Sequence, residues 1–419
     1  MKGDYSRKTF DPRNNYAGVR MQQGRVQLDA DWNEQADIRD RLDRAMTVDL
    51  HGRCVCSEQT PDAFLLANES GALTISPGRA YVDGVLADNH GDAPLVFDEI
   101  LSEQRGTSPV PYLSQPYLPS APELLPEEAG TVLVYLDVWY RHVTYLEDED
   151  MVEKAVGVDT TTRQQAVWQV RLLEGVGNIN CETPDADIDG WMDIITPSGG
   201  RLSWEAVGTQ EPDDPCRIPP SAGYRALENR LYRVEIHSRE IQDDGDPVPA
   251  TFKWSRYNGT VASRVTAIPE LDQLIVDSTG RDDVLRFNAG DWVEITDDHL
   301  ELEGLPGQMR RIDSVDDGTR TITLRDDLDS GVFPTNAQGL TTPGRHTRVR
   351  RWDQSGVVRD TDDNILADLN DPTSPGVIPV PADGTSLVLE DGVQITFGSD
   401  PAGAPVRSGD YWCFAARAG

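Results

Sequence analysis

Lysine is almost missing from this chain. Only Lys2, Lys8, Lys154 and Lys253 occur among 38 basic residues, and the others are arginine. Against them stand 49 aspartates and 23 glutamates, for a formal net charge of −34. That balance argues against binding nucleic acid or an anionic membrane, whose phosphates need clusters of Lys and Arg. Asp in excess of Glu, with so little Lys, is expected of a protein made in molar salt. There the Debye length falls to ~3 Å, and surface carboxylates cease to repel one another and mainly hold water. An acidic protein from a high-GC bacterium is the plainer source of the same composition.

Cysteine is scarce as well. Cys54, Cys56, Cys181, Cys216 and Cys413 are too few and too scattered for a disulfide scaffold. Cys54 and Cys56 are one residue apart, too close to bridge comfortably, and no zinc-spaced partner follows. Cys181 and Cys216 flank an irregular stretch, where a bridge or two buried thiols are equally expected. No apolar run approaches the ~20 residues of a membrane span, and the N-terminal segment lacks the apolar core of a signal peptide. Cytoplasmic synthesis without a secretion signal is the expectation. The six histidines are isolated in sequence, and no nucleophile elbow or phosphate-binding glycine loop accompanies them.

What is present is turn and strand chemistry. With 36 Gly and 28 Pro, and 419 residues in all, the chain reads as several turn-rich β-units and not one core. The expected fold is mainly β: small β-sandwich or β-barrel units in one elongated chain, with an extended N-terminal arm and one short helix. The expected divisions are an arm and helix (1–50), a β-domain (51–175) and an irregular insertion (176–222). A continuation of that β-domain (223–273), a small barrel or sandwich (274–350) and a C-terminal β-unit (351–419) follow.

The helix is predicted over about 31–50, with Asp29 or Asp31 as its cap and Glu34 closing a capping box. Ile38, Leu42, Ala45 and Met46 fall on one apolar stripe. Hairpin turns are predicted at Pro77-Gly78, Asp83-Gly84 and Asn258-Gly259. The run 131–145 is expected to pair with 165–173.

Few residues suggest chemistry. Asp185, Asp187 and Asp189, with Gly190, match the first half of a calcium loop, but Thr196 stands where its bidentate glutamate belongs. They are a weak cation candidate, and a solvated acidic turn is favoured. Trp139, Trp168, Trp254, Trp292, Trp352 and Trp412 lie in strand-like runs, where packing is the first expectation and a sugar platform the second. Carboxylate pairs such as Glu147 and Asp150 are too common here to single out a hydrolase.

The N-terminal segment differs from the rest. Lys2, Arg7, Lys8, Arg13, Arg20 and Arg25 are interleaved with Tyr5, Phe10 and Tyr16. Disordered tails are poor in aromatics, so an ordered arm lying along a partner or neighbouring subunit is expected.

Met1 to Pro12 (MKGDYSRKTFDP) and Met21 to Gln35 (MQQGRVQLDADWNEQ) resemble the opening of a family known as domain of unknown function 6519. Tyr5 replaces the family's usual Phe. The likeness recurs at Ile75–Arg79, Tyr135–Val143, Asp159–Arg163, Phe252–Arg256, Leu389–Val393 and Ser408–Trp412. The resemblance implies a role in contractile injection systems, the phage-tail-like particles whose genes often neighbour those of the family. It brings no catalytic residues and no cofactor.

The implied partners are baseplate wedge, spike or fibre subunits, with homo-oligomers such as trimers or sixfold rings. The particle would assemble in the cytoplasm and leave by lysis. On this reading Tyr5, Phe10, Tyr16 and Trp32 anchor in pockets, and Arg7, Arg13, Arg20 and Arg25 pair with acids on neighbours. Deleting 1–28 is expected to leave a folded but unincorporated protein. The alternatives are a carbohydrate-binding fibre adhesin using Trp292 in the 274–350 unit, or an envelope-polymer hydrolase.

Overall fold

The computed structural model describes residues 2–69, 72–91, 108–123, 130–180, 182–207, 224, 226–243 and 246–417. Cys181 and Cys216 lie outside them. The protein is mainly β, built of small antiparallel sheets with few helices.

Among the described residues the one long helix, α1, runs Asp29–His51. Its 23 residues span ~34 Å at 1.5 Å per residue, so it is not short. Neither expected aspartate is the cap. Leu28 holds that position and donates its N–H to Asp31 Oδ2 at 3.3 Å. Asp29 accepts from the Ser6 N–H at 2.8 Å, and Glu34 from Thr9 Oγ1 at 2.6 Å. Asp29 and Glu34 are taken by the arm, while Asp31 serves the cap from the N3 position. The apolar stripe is corrected too. Ile38 is buried with Ala30, while Leu42, Ala45 and Met46 face solvent.

The first module holds β1 (Cys54–Cys56), β2 (Leu66–Glu69), β3 (Ala72–Ile75), β4 (Gly78–Val82), β5 (Val85–Asn89) and β6 (Val110–Pro111). A ribbon of β7 (Leu133–Val143) and β8 (Arg163–Leu173) completes it. That ribbon pairs as expected, in a run rich in β-branched and aromatic residues. Asp83-Gly84 does turn β4 into β5. Pro77-Gly78 does not form a hairpin. β3 pairs with β2 and β6, and β4 with β1 and β5, so the chain changes sheets there. Proline cannot donate to a continuing ladder, which favours the break.

The chain then lays down β9 (Gly200–Ala206), β10 (Arg230–Ser238) and β11 (Thr251–Ser255). Asn258 and Gly259 both have positive φ, 51° and 68°, as a type I′ turn requires. Here the turn passes the chain into a closed barrel. Its strands are β12 (Ala262–Ala267), β13 (Gln273–Val276), β14 (Trp292–Thr296), β15 (Gln308–Asp316), β16 (Thr321–Leu324) and β17 (Arg348–Trp352). They close in the order β12-β13-β16-β15-β14-β17 around Val265, Leu274, Ile295, Ile312, Ile322 and Val349. The barrel therefore begins before residue 274. A short helix, α2 (Asp298–Leu302), follows β14.

Four strands return to finish what β9–β11 began: β18 (Ile378–Pro379), β19 (Ser386–Val388), β20 (Val393–Ser399) and β21 (Tyr411–Ala416). One sheet runs β18-β11-β10-β21 and the other β9-β20-β19, with Tyr232, Val234, Phe252, Ile395, Phe397 and Phe414 between them. Three expected divisions are thus corrected. Residues 223–273 do not continue the 51–175 domain, the insertion contributes a strand, and 351–419 is no separate unit. Alternation shows which face of a strand is buried, but not which distant strand lies beside it.

Candidate functional site: the anchored arm and its helix

The arm is rooted by its first residues. On β10, period-two alternation sends Tyr232, Val234 and Ile236 into the sandwich core and Arg233, Glu235 and His237 to the opposite face. Register sets Glu235 beside Lys253 of β11. The barrel meets this face with Glu294 and Trp352. Lys253 Nζ lies 2.5 Å from Glu294 Oε1 and 3.4 Å from Glu235 Oε1. Lys2 Nζ also reaches Glu235 Oε1, at 3.4 Å. Trp352 Nε1 donates to Glu294 Oε2 at 3.0 Å, and Lys253 sits 4.6 Å from a Trp352 ring centre.

This is a buried ionic cluster clamping the arm between sandwich and barrel. Burial pushes Glu235 toward protonation, but Lys2, Arg233 and Lys253 outweigh it and hold the carboxyl well below its usual range. Burial acts likewise on Glu294, and Lys253 and His237 overcome it. Burial, aided by Lys253, lowers His237. Burial also lowers the Lys2 ammonium, against the pull of Glu235. Replacing one partner of such a set costs more than the pair contributes, since a charge is left unpaired in low dielectric.

Further anchors follow. The Gly3 N–H donates to Asn258 O at 3.4 Å, and Asn258 Nδ2 to Gly3 O at 2.9 Å. Tyr5 Oη lies 2.9 Å from His142 Nε2 and 2.5 Å from Thr162 Oγ1. Burial lowers His142 to about 3, with Arg350, Arg233 and Lys2 adding to it. Arg417 donates to Ser6 O at 2.8 Å. A cavity of about 40 Å³ remains between arm, α1 and β21, lined by Tyr5, Thr9, Ala30, Leu231 and Tyr411 among others.

Beyond Ser6 the arm turns outward. Arg7, Arg20 and Arg25 are exposed, and Arg13 is exposed but paired with its neighbour Asp11 at 2.7 Å. Phe10 is half-buried. Tyr16 is 60% and Val26 83% exposed. Trp32, on the outer face of α1, is 69% exposed. The eight residues expected to dock are therefore split. Tyr5 is turned into the protein's own body, while Arg7, Tyr16, Arg20, Arg25 and Trp32 face outward. Because Lys2 and Tyr5 are structural anchors, deleting 1–28 would disturb folding and docking together.

The other candidates are placed as follows. Asp185 and Asp187 lie in a 3₁₀ turn, and all three aspartates are exposed. A three-residue turn splays alternate side chains, and no metal-binding group of acids, His or Cys forms among the described residues. Trp292 is buried in contact with Trp352, Met309 and the Gly376 backbone, so it offers no sugar platform. His346 pairs with Asp298, which Arg348 also holds at 2.8 Å.

Sequence reading missed the ionic cluster. One signal was available: two of the four lysines, Lys2 and Lys253, meet in it. Lys253 places a compact ammonium on a flexible stem over Trp352 and between Glu235 and Glu294.

No curated protein and no solved structure matches this chain. One family model does, over residues 1–202 and again over residues 200–419, together spanning the chain. The protein that carries this anchored arm belongs to the family of unknown function DUF6519.

Proposed function

We propose that this protein is a structural component of a contractile, phage-tail-like particle, acting near the baseplate, spike or fibre attachment by docking to other subunits. The observation that carries the reading is the exposed tract from Arg7 to Val26. It is basic and apolar on a chain of net charge −34, and it is held at one end by Lys2 and Tyr5 and at the other by α1. Tethering both ends lowers the entropy lost when the tract binds a partner. Arg20 and Arg25 supply charge for acidic neighbours, and Tyr16, Met21 and Val26 supply apolar contact.

The test replaces exposed residues and spares the anchors. Tyr16→Ala with Arg20→Glu and Arg25→Glu should leave melting unchanged and remove the protein from purified particles. Incorporation of that variant at the wild-type level would overturn the reading. So would a gene neighbourhood without sheath, tube and baseplate-wedge genes.

A second reading, a carbohydrate-binding adhesin, now rests on a different place. An open cleft of about 400 Å³ is lined by Lys8, Trp204, Tyr411, Trp412 and Phe414 among others. Trp204 stacks on Phe414, with centroids 4.8 Å apart, and keeps part of its ring exposed. Glycan-array binding lost in Trp204→Ala would favour this reading.

A further inference from the structure

Helix α1 is packed on one side and bare on the other. Ala30 and Ile38 face the body, and Tyr140 and the β4–β5 turn reach it through Asp40 and Arg44. The opposite side carries Trp32, Met46 and Leu50, which are 69%, 56% and 70% exposed. At about 100° per residue these three fall within roughly 40° of one another. Arg39 and Asp43 lie between them on the same face, so the row is apolar at its ends and charged at its middle.

We propose that the row is covered by the same face of a second copy, running antiparallel, with a two-fold axis at the level of position 41. The spacing points to that occupant. Trp32 and Leu50 are equidistant from position 41, as are Ala36 and Met46, and Arg39 and Asp43. The axis therefore sets Trp32 against Leu50 of the second copy, bulky Met46 against small Ala36, and Arg39 against Asp43. Self-complementarity in both size and charge is the property of an isologous contact, and an unrelated partner has no need of it.

Charge also selects the register. Moving the axis to position 39 sets Arg39 against Arg39, and moving it to 43 sets Asp43 against Asp43. At position 41 the intrahelical pair, Arg39 Nε to Asp43 Oδ2 at 2.9 Å, joins its copy in a closed set of four charges. The inference extends the docking reading from the tract to α1 and assigns the partner of that helix. The tract from Arg7 to Val26 stays available to other subunits, and three such pairs would make a six-chain assembly of threefold symmetry. One helix from each copy is a small contact, so a dissociation constant of about micromolar order is expected.

Sedimentation of the full chain at about 1–100 μM tests this, in ~1 M KCl, where the net charge is screened, and in ~0.15 M KCl, where the charge-reversal variants are read. The expected result is a reversible rise from 46.3 kDa toward twice that mass. Trp32→Glu, and separately Arg39→Asp, should each weaken association by about tenfold or more. The double variant Arg39→Asp/Asp43→Arg should restore it, which general damage to α1 could not do. A chain that stays monomeric throughout would overturn the inference, as would a dimer that none of these changes weakens. Particle incorporation is a separate measurement, so a failed dimer leaves the docking reading standing, and a failed incorporation leaves the dimer standing.

Discussion

Tyr5 Oη lies 2.9 Å from His142 Nε2, and both approach Thr162 Oγ1. This three-way contact ties the arm to the end of the β7–β8 ribbon, over 130 residues away in sequence. Tyr5→Phe removes the hydroxyl and leaves His142 and Thr162 bonded to each other. A loss of about 1 kcal/mol is expected, with faster tryptic cleavage at Arg7. Unchanged protection at Arg7 would show that the contact does not hold the arm.

Acid should loosen the same contact. The folded-state pKa of His142 is lowered to about 3 from an ordinary 6.5, so between those values the unfolded chain binds the extra proton. The stabilisation is full above pH 6.5 and is lost as pH falls toward 3, at up to ~1.4 kcal/mol per pH unit. Melting temperature should therefore fall from neutral pH toward pH 5, and His142→Gln should flatten that slope. Glu235 and Glu294 act in the same sense lower down. Their folded pKa values are depressed, so their contribution is present above the ordinary carboxylate range and lost as pH drops below it.

The ionic cluster predicts an asymmetry between lysine and arginine. Lys253→Met leaves Glu294 buried without its nearest cation and should cost about 3–5 kcal/mol. Lys253→Arg keeps the charge but should not restore wild-type stability, because a larger planar guanidinium must enter a fully buried position that a compact ammonium fills. Chemical denaturation of the three proteins checks this. Equal stability of the Arg variant and wild type would contradict the packing account.

Gly376 has φ of +77°, and a Cβ there would run into the Trp292 ring. Gly376→Ala should destabilise by about 1–3 kcal/mol through strain and overpacking. Near-neutral melting would mean that the Trp292 pocket yields easily.

Local order was legible from the residues. The β7–β8 ribbon, the Asp83-Gly84 hairpin and the left-handed Asn258-Gly259 pair each follow from short-range propensity and turn geometry. So does the existence of α1, though its outer row is the one that faces solvent. Its cap was misread because Ser6 and Thr9, remote in sequence, claim Asp29 and Glu34. The sandwich was divided wrongly because β9–β11 and β18–β21 are separated by a whole barrel.

The sequence by itself determined that the protein is acidic, mainly β and opened by a basic, aromatic arm, since composition and period-two alternation act within a few residues. Tertiary structure alone decided which arm residues are anchors and which are free. Lys2 and Tyr5 are held by Glu235 and His142, which only folding brings near them. Desolvation then makes those distant contacts strong enough to seat the arm, while Tyr16, Arg20 and Trp32 stay in water.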